Sequence, residues 1–215
     1  MSEMKPGEIQ TVRNRKSQLT TQVAGGAIFG ALSAVVAFVL SPLINASRIP
    51  GWLIAMFDPT SWVWIICFLI FGLYAGLLSC VTGSIGLLII DPSGWVGPIF
   101  KFCATVPLII IPYFLFKLKE SQKLKDPRKF VISGITSTAV RIVIMVPLNL
   151  LFFATIWSDY FLFMNLEVIG FANITGLSAV LIFTPIINLY TSALDLVVPY
   201  LLVFLPKLDE KFEFW

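Results

Sequence analysis

The chain has 215 residues, of which 58% are apolar and only 13% carry a charge. A water-soluble domain has roughly a quarter charged residues, so these charges are too few to cover a surface that faces water on all sides. The net charge of +3 is too small to indicate a nucleic-acid partner. The sequence contains no histidine, and no glycine is followed by lysine, which excludes His-based catalytic pairs and a P-loop. We therefore expect a membrane protein that is not an enzyme, has no metal or cofactor, and takes any energy from a partner.

Apolar runs of the length that spans a bilayer, about 20 residues, predict an all-α polytopic membrane protein with six transmembrane helices. Residues 1–21 are expected to form a cytoplasmic tail, residues 22–205 the membrane domain, and residues 206–215 a second cytoplasmic tail. Glycines within residues 62–90 place a tight turn near residues 72–76, which divides that run into a short second helix and a third. The predicted spans are residues 23–44, two helices within 62–90, 97–116, 130–157, and one helix within 169–205.

The basic residues predict the orientation of the helices. Six of them lie between Lys117 and Lys129, and others lie in the two tails, whereas the opposite loops hold little beyond Arg48. The positive-inside rule then places both termini in the cytoplasm. Tryptophans collect at the opposite ends of the helices, as expected for an aromatic belt at the outer interface; these are Trp52, Trp62, Trp64, Trp95 and Trp157.

Small residues recur on the first predicted helix at the spacing that lets a second helix approach closely. This ridge could pack inside the protein's own bundle or could dock a separate membrane subunit, and the pattern does not choose between the two. We take docking as the working hypothesis. The ridge residues are Gly26, Ala27, Gly30, Ala31 and Ala34.

A polar stripe follows one face of the last predicted helix. It comprises Thr184, Asn188, Thr191 and Asp195, at i, i+4, i+7 and i+11, and Asn173 continues it outward. Polar groups are costly against lipid, so the stripe should face the bundle interior or a water-filled cavity. The stripe predicts either interhelical hydrogen bonds or the polar wall of a ligand pocket that opens outward.

Two charges lie at matching depths in neighbouring predicted helices. Arg141 lies about eleven residues into the fifth, and Asp195 about ten residues from the inner end of the sixth. An unpaired charge at that depth is costly, so we expect an ion pair, and we favour a structural role for it over a proton relay.

Further polar residues on the outer halves of the predicted helices could converge with Asn188 on one cavity. A loop with aromatic and acidic residues would then form its roof. The predicted substrate-binding residues are Lys101, Asn149, Asn188 and Thr191 in the walls and Trp52, Phe57 and Asp58 in the roof.

Several short motifs resemble those of one membrane-protein family, the substrate-binding S components of energy-coupling-factor (ECF) vitamin transporters. The resemblance covers about residues 22–205 and is nearest to the riboflavin-binding members. Its motifs are AGGA at 24–27, FGLYAGLL at 71–78, GPIFKF at 97–102, PLNLLFF at 147–153 and PIINL at 185–189. The sequence departs from the riboflavin binders at Thr191, where they usually carry lysine, and at Gly83–Ser84, where they often carry Lys-Asp.

The resemblance implies a plasma-membrane protein that binds a vitamin, with riboflavin the best candidate, from outside the cell. Its partners would be a transmembrane coupling subunit and two cytoplasmic ATPases, besides the lipid bilayer. Any bound riboflavin would be the transported ligand. Alternative hypotheses are an S component for another vitamin, a self-contained channel or a secondary carrier. A membrane enzyme is disfavoured because the acids near the membrane, Asp91 and Asp195, stand alone in the sequence.

Overall fold

The computed structural model describes residues 6–52, 54–116, 122–161 and 164–212, and the protein is mostly helical. Residues 1–5 and 213–215 of the two predicted tails, and residues 117–121 of the predicted basic loop, lie outside this part. The helices are α1 Pro6–Val39, α2 Ser41–Ala46, α3 Thr60–Phe71, α4 Leu73–Ile90, α5 Val96–Phe116, α6 Gln122–Lys125, α7 Pro127–Thr155, α8 Ser158–Phe161, α9 Gly176–Phe204 and α10 Leu208–Phe212. Two antiparallel strands, β1 Asn165–Leu166 and β2 Phe171–Thr175, precede α9.

Within the described residues, five helices are long and apolar enough to cross a membrane: residues 17–39 of α1, and α4, α5, α7 and α9. The chain is thus a polytopic all-α membrane protein. The second of the six predicted spans corresponds to α3, which has only 12 residues. At 1.5 Å per residue it is about 18 Å long, well short of a hydrocarbon core about 30 Å thick.

The short helix α3 lies at the centre of the bundle. Ten of its residues are buried, and it packs against α1, α4, α5 and α9. A helix that is apolar on all sides needs apolar surroundings, and around α3 the neighbouring helices provide them. At Gly72 the chain turns directly into α4 with φ of +94°, a conformation that glycine adopts at low cost. This turn lies where the glycine pattern predicts it.

The predicted helix boundaries differ from the structure at both ends of the first span. Helix α1 begins at Pro6, so residues 6–21 of the predicted tail continue the first helix. The span also ends at Val39 rather than at residue 44, and α2 follows as a separate helix. Pro42 at the start of α2 has no N–H for a continuing helical ladder, which explains the break. At the other end of the chain, residues 208–212 form α10, which packs on α3 and α9.

The up-and-down helices give the bundle two distinct ends. The capped end comprises residues 40–52, 54–59, 91–95, 156–161 and 164–175; the basic end comprises residues 122–129 and 205–212. Trp64 is buried between α1 and α4 near the capped end, and its Nε1 donates to Ser33 Oγ at 2.8 Å. Trp52 is also buried, so these two tryptophans do not belong to an interfacial belt.

Candidate functional site

A cavity of about 180 Å³ lies at the capped end, between α5, α7 and α9. An ordered water needs roughly 10–15 Å³ by a comparable measure, so the cavity is large enough for a small molecule. Its walls combine apolar side chains with polar and charged ones in nearly equal number, so the cavity is more polar than most small-molecule sites. The apolar part includes Phe100, Met145, Phe152, Phe153 and Ile187.

Residues 47–52 and 54–59, here called the capping loop, cover this cavity. Trp52 anchors the loop: its ring lies 4.4 Å from that of Phe183 and 6.5 Å from that of Phe153, measured between centroids. The Trp52 Nε1 also donates to the carbonyl of Asn165 at 3.1 Å, which joins the loop to the β hairpin before α9. Phe57 does not line the cavity, contrary to its predicted role. It packs edge-to-face on Trp62, with ring centroids 5.3 Å apart.

An ion pair fastens the end of the capping loop to α5. The Lys101 ammonium contacts the Asp58 carboxylate and lies 5.9 Å from the centroid of the Trp64 ring. Asp58 Oδ1 also accepts hydrogen bonds from the backbone N–H and the hydroxyl of Thr60. Burial alone would raise the pKa of Asp58, but Lys101 and Thr60 together hold that pKa below its usual value of 3.8. Asp58 therefore remains ionised at neutral pH and keeps Lys101 paired.

Acidification is expected to loosen the capping loop. Because the pKa of Asp58 is lower in the folded than in the unfolded state, its ion pair stabilises the fold above the unfolded pKa. That stabilisation is lost as the pH falls through the folded pKa, below about pH 4. Amide hydrogen-exchange protection factors for Met56, Phe57 and Thr60, whose N–H groups are hydrogen-bonded, should fall in this window when measured between about pH 6 and pH 3. In an Asp58→Asn variant protection should already be low at about pH 6 and independent of pH; an unchanged profile in that variant would contradict the assignment.

The predicted ion pair between α7 and α9 is present and forms part of a larger buried network. Arg141 Nη1 donates to Asp195 Oδ2 at 2.8 Å, and both side chains are more than nine-tenths buried. Arg141 Nε donates to Asn188 Oδ1, and Nη2 to Thr191 Oγ1, each at 2.8 Å. Ser61 Oγ at the start of α3 donates to Asp195 Oδ1 at 2.6 Å. One guanidinium therefore joins three residues of the polar stripe, and Asp195 extends the network to α3.

Two oxygen atoms on the cavity wall have no hydrogen-bond partner within the described part of the chain. Asn149 donates from Nδ2 to the carbonyl of Met145, but its Oδ1 has no partner. Thr184 is 1% exposed, and its Oγ1 is also unpartnered. Asn188, in contrast, uses both ends of its amide, since Nδ2 donates to the carbonyl of Thr184. The open hydrogen-bonding capacity of the site therefore lies more with Asn149 and Thr184 than with Asn188.

The fold brings together six of the seven predicted substrate-binding residues. Lys101, Asn149, Asn188, Thr191, Trp52 and Asp58 all line the cavity. Arg141 and Asp195, predicted as a structural pair only, line it too. Asn173 does not continue the stripe of α9, because it lies exposed on β2. Thr184 belongs to the polar stripe that the sequence predicts. Only the structure shows that its hydroxyl has no hydrogen-bond partner within the described residues.

The small-residue ridge is divided between two surfaces. Gly26 and Gly30 are buried against α4, where an added Cβ would lie 2.9 Å from the carbonyl of Ala75 and 1.7 Å from Thr82 Oγ1, respectively. Ala34 packs against Gly86 of α4, where an added Cβ would lie 2.8 Å from the Ala34 Cβ. For these three residues the ridge packs inside the bundle. Ala27 and Ala31 lie on the exposed side of α1.

The described residues contain no group of three or more His, Cys, Asp or Glu side chains placed to hold a metal ion. The three cysteines, Cys67, Cys80 and Cys103, are free thiols within apolar helices. The cavity itself offers hydrogen-bonding groups, paired charges and aromatic walls.

No protein-family model matches the chain, and no curated protein or solved structure matches it.

Proposed function

We propose that the chain is the substrate-binding membrane subunit of an ATP-driven vitamin transporter of the ECF type, with riboflavin as its ligand. The observation that carries this proposal is the covered cavity at the capped end. It collects polar residues from three distant segments, α5, α7 and α9, under a loop anchored by Trp52. The sequence motifs at 97–102, 147–153 and 185–189 contribute Lys101, Asn149 and Asn188 to this same cavity.

In this proposal the capped end faces the outside of the plasma membrane and the basic end faces the cytoplasm. The basic residues support that orientation through the positive-inside rule. The chain has no P-loop, so energy for uptake would come from a transmembrane coupling subunit and two cytoplasmic ATPases. The exposed residues Ala27 and Ala31 offer a flat surface for the coupling subunit.

The cavity volume requires the capping loop to move when riboflavin enters. At about 180 Å³ the cavity is close to the roughly 150 Å³ that holds one benzene ring, and isoalloxazine has three fused rings. Among the described residues, the contacts that connect the loop to the rest of the bundle include the Asp58–Lys101 pair, the Trp52–Asn165 hydrogen bond and the Arg48–Asp91 pair. Movement of the loop would admit the ligand between α5 and α9.

Riboflavin binding by the purified protein in detergent tests the proposal, with quenching of flavin fluorescence as the measurement. We expect saturable binding at or below micromolar concentration. Asn149→Ala should weaken it at least tenfold, because a polar edge of the ligand would lose its partner. Ser137→Ala is the matched control: Ser137 is buried in the same helix but lies away from the cavity, so binding should not change. No flavin binding by the wild type would refute riboflavin as the ligand.

A secondary carrier is the second candidate, because a buried Arg–Asp pair at a cavity wall is also a feature of ion-coupled transport. Affinity purification from the native membrane separates the two functions. Recovery of ATPase subunits with the chain supports the ECF-type subunit. Uptake by the chain alone in proteoliposomes, driven by an ion gradient, would instead establish a carrier.

A further inference from the structure

The charges that line the cavity cancel one another. Within the described residues three cations line it, and each contacts a carboxylate. Arg141 Nη1 lies 2.8 Å from Asp195 Oδ2, and Arg48 Nη2 lies 3.4 Å from Asp91 Oδ1. The Lys101 ammonium contacts Asp58. An anionic ligand would have to displace one of these carboxylates or remain unneutralised in a largely desolvated site, and either is costly.

Two neutral oxygens of cavity-lining residues lack a hydrogen-bond partner within the described part of the chain, whereas Lys101 Nζ, which also forms no hydrogen bond, has its charge paired with Asp58. Thr184 and Asn149 both line the cavity. Thr184 Oγ1 is a buried oxygen without a hydrogen-bond partner, and Asn149 bonds only through Nδ2, which leaves its Oδ1 open. A buried polar atom without a partner is unfavourable, so a ligand that supplies an N–H or O–H group gains binding free energy at these positions. A carboxamide oxygen is an acceptor only, and this atom cannot bind a ligand oxyanion.

From these two observations we propose that the cavity selects an uncharged ligand with N–H or O–H donors, recognised by Thr184 and Asn149, and discriminates against anionic analogues of it. This inference rests on the proposed function, in that it takes the cavity as the ligand site, but it does not depend on riboflavin being the ligand. Thr184 becomes a specificity residue that the family motifs do not single out.

Binding of matched neutral and anionic vitamin forms tests the inference, with equilibrium dialysis against the purified protein as the measurement. The pairs are riboflavin and riboflavin 5′-phosphate, pyridoxine and its 5′-phosphate, and nicotinamide and nicotinate. We expect at least one neutral member to bind, at least tenfold more tightly than its anionic counterpart. If another neutral member binds while riboflavin does not, the riboflavin assignment fails and the inference stands. If riboflavin and its phosphate bind equally, the inference fails and the vitamin-binding function stands. If no member binds, both fail.

Thr184→Val removes the hydroxyl while keeping the shape of the side chain, and it should weaken binding of the neutral ligand at least tenfold. Ser192→Ala is the matched control, because Ser192 is equally buried in α9, its hydroxyl is also unpartnered, and it lies away from the cavity. Thr184→Ser should restore binding. Equal losses in the Thr184→Val and Ser192→Ala variants, or no loss in either, would overturn the role of Thr184.

Asp58→Asn tests whether the paired charges of the cavity set the selectivity. Asp58→Asn leaves the Lys101 ammonium without a carboxylate, so the anionic member of the binding pair should gain at least tenfold in affinity relative to the neutral member. Adding Lys101→Gln removes the uncompensated charge and should restore the original preference. Helical circular dichroism of each variant establishes that it is folded. A folded Asp58→Asn variant with unchanged preference would show that paired charges do not set the selectivity.

Discussion

Replacing Arg141 with alanine is expected to destabilise the folded protein by about 3–5 kcal/mol, as is usual when one partner of a buried ion pair is removed. The change leaves the Asp195 carboxylate with Ser61 as its hydrogen-bond donor in a buried site. It also removes the donors to Asn188 Oδ1 and Thr191 Oγ1. Chemical unfolding in detergent micelles, followed by circular dichroism, measures the loss.

A double-mutant cycle identifies the ion pair as the source of that loss. Arg141→Gln with Asp195→Asn replaces both charges by neutral groups that still form hydrogen bonds, so much of the stability should return. Lys129→Ala is the control, since the Lys129–Asp126 pair at the basic end is solvent-exposed, with an N–O distance of 3.8 Å, and should matter little. If the two changes together cost the sum of the single ones, Arg141 and Asp195 do not stabilise the protein as a pair.

Gly30→Leu is expected to destabilise the protein by about 1–3 kcal/mol or more, because the leucine side chain overpacks the interface between α1 and α4. Rotation of Thr82 could relieve the nearest contact of the new Cβ. The backbone nitrogen of Gly83, 3.1 Å from that Cβ, cannot move in the same way. The rest of the leucine side chain would therefore push the two helices apart. Chemical unfolding under the same conditions measures the effect.

The adjacent residue provides the matched control and a test of docking. Ala31 is exposed, so Ala31→Leu adds the same kind of side chain without entering the bundle and should leave stability unchanged. Ala31→Trp should leave folding and ligand binding intact while preventing copurification of a coupling subunit. If Ala31→Leu destabilises as much as Gly30→Leu, the two faces of α1 are not distinct in the way the structure places them.

The sequence predicts the helices well because their determinants are local. Runs of apolar residues near the length of a bilayer specify α4, α5, α7 and α9, and a glycine turn specifies the break at Gly72. Matching depths were also enough to predict that Arg141 pairs with Asp195, because an unpaired charge in a bilayer has few alternatives. Composition thus determined the class of the protein, and the positions of two charges along the chain determined one long-range contact.

Other features depend on which surfaces meet, and a one-dimensional pattern does not contain that information. The sequence of helix α3 predicts a short membrane span. Its burial on all sides results from the four helices that pack around it. The small residues of α1 form a single ridge in the sequence, yet Gly30 packs on α4 while Ala31 is exposed.

Some features of the cavity were predictable from the sequence, and others depend on how the helices pack. Residue type and spacing predicted most of its polar lining, because polar groups in apolar helices must face inward. The tertiary structure decided how those groups are used. Arg141 reaches across to Asn188 and Thr191 and occupies their hydrogen-bonding atoms, whereas Asn149 Oδ1 and Thr184 Oγ1 stay open. Hydrogen-bond partners depend on distances between side chains on different helices, and only the packing of those helices sets these distances.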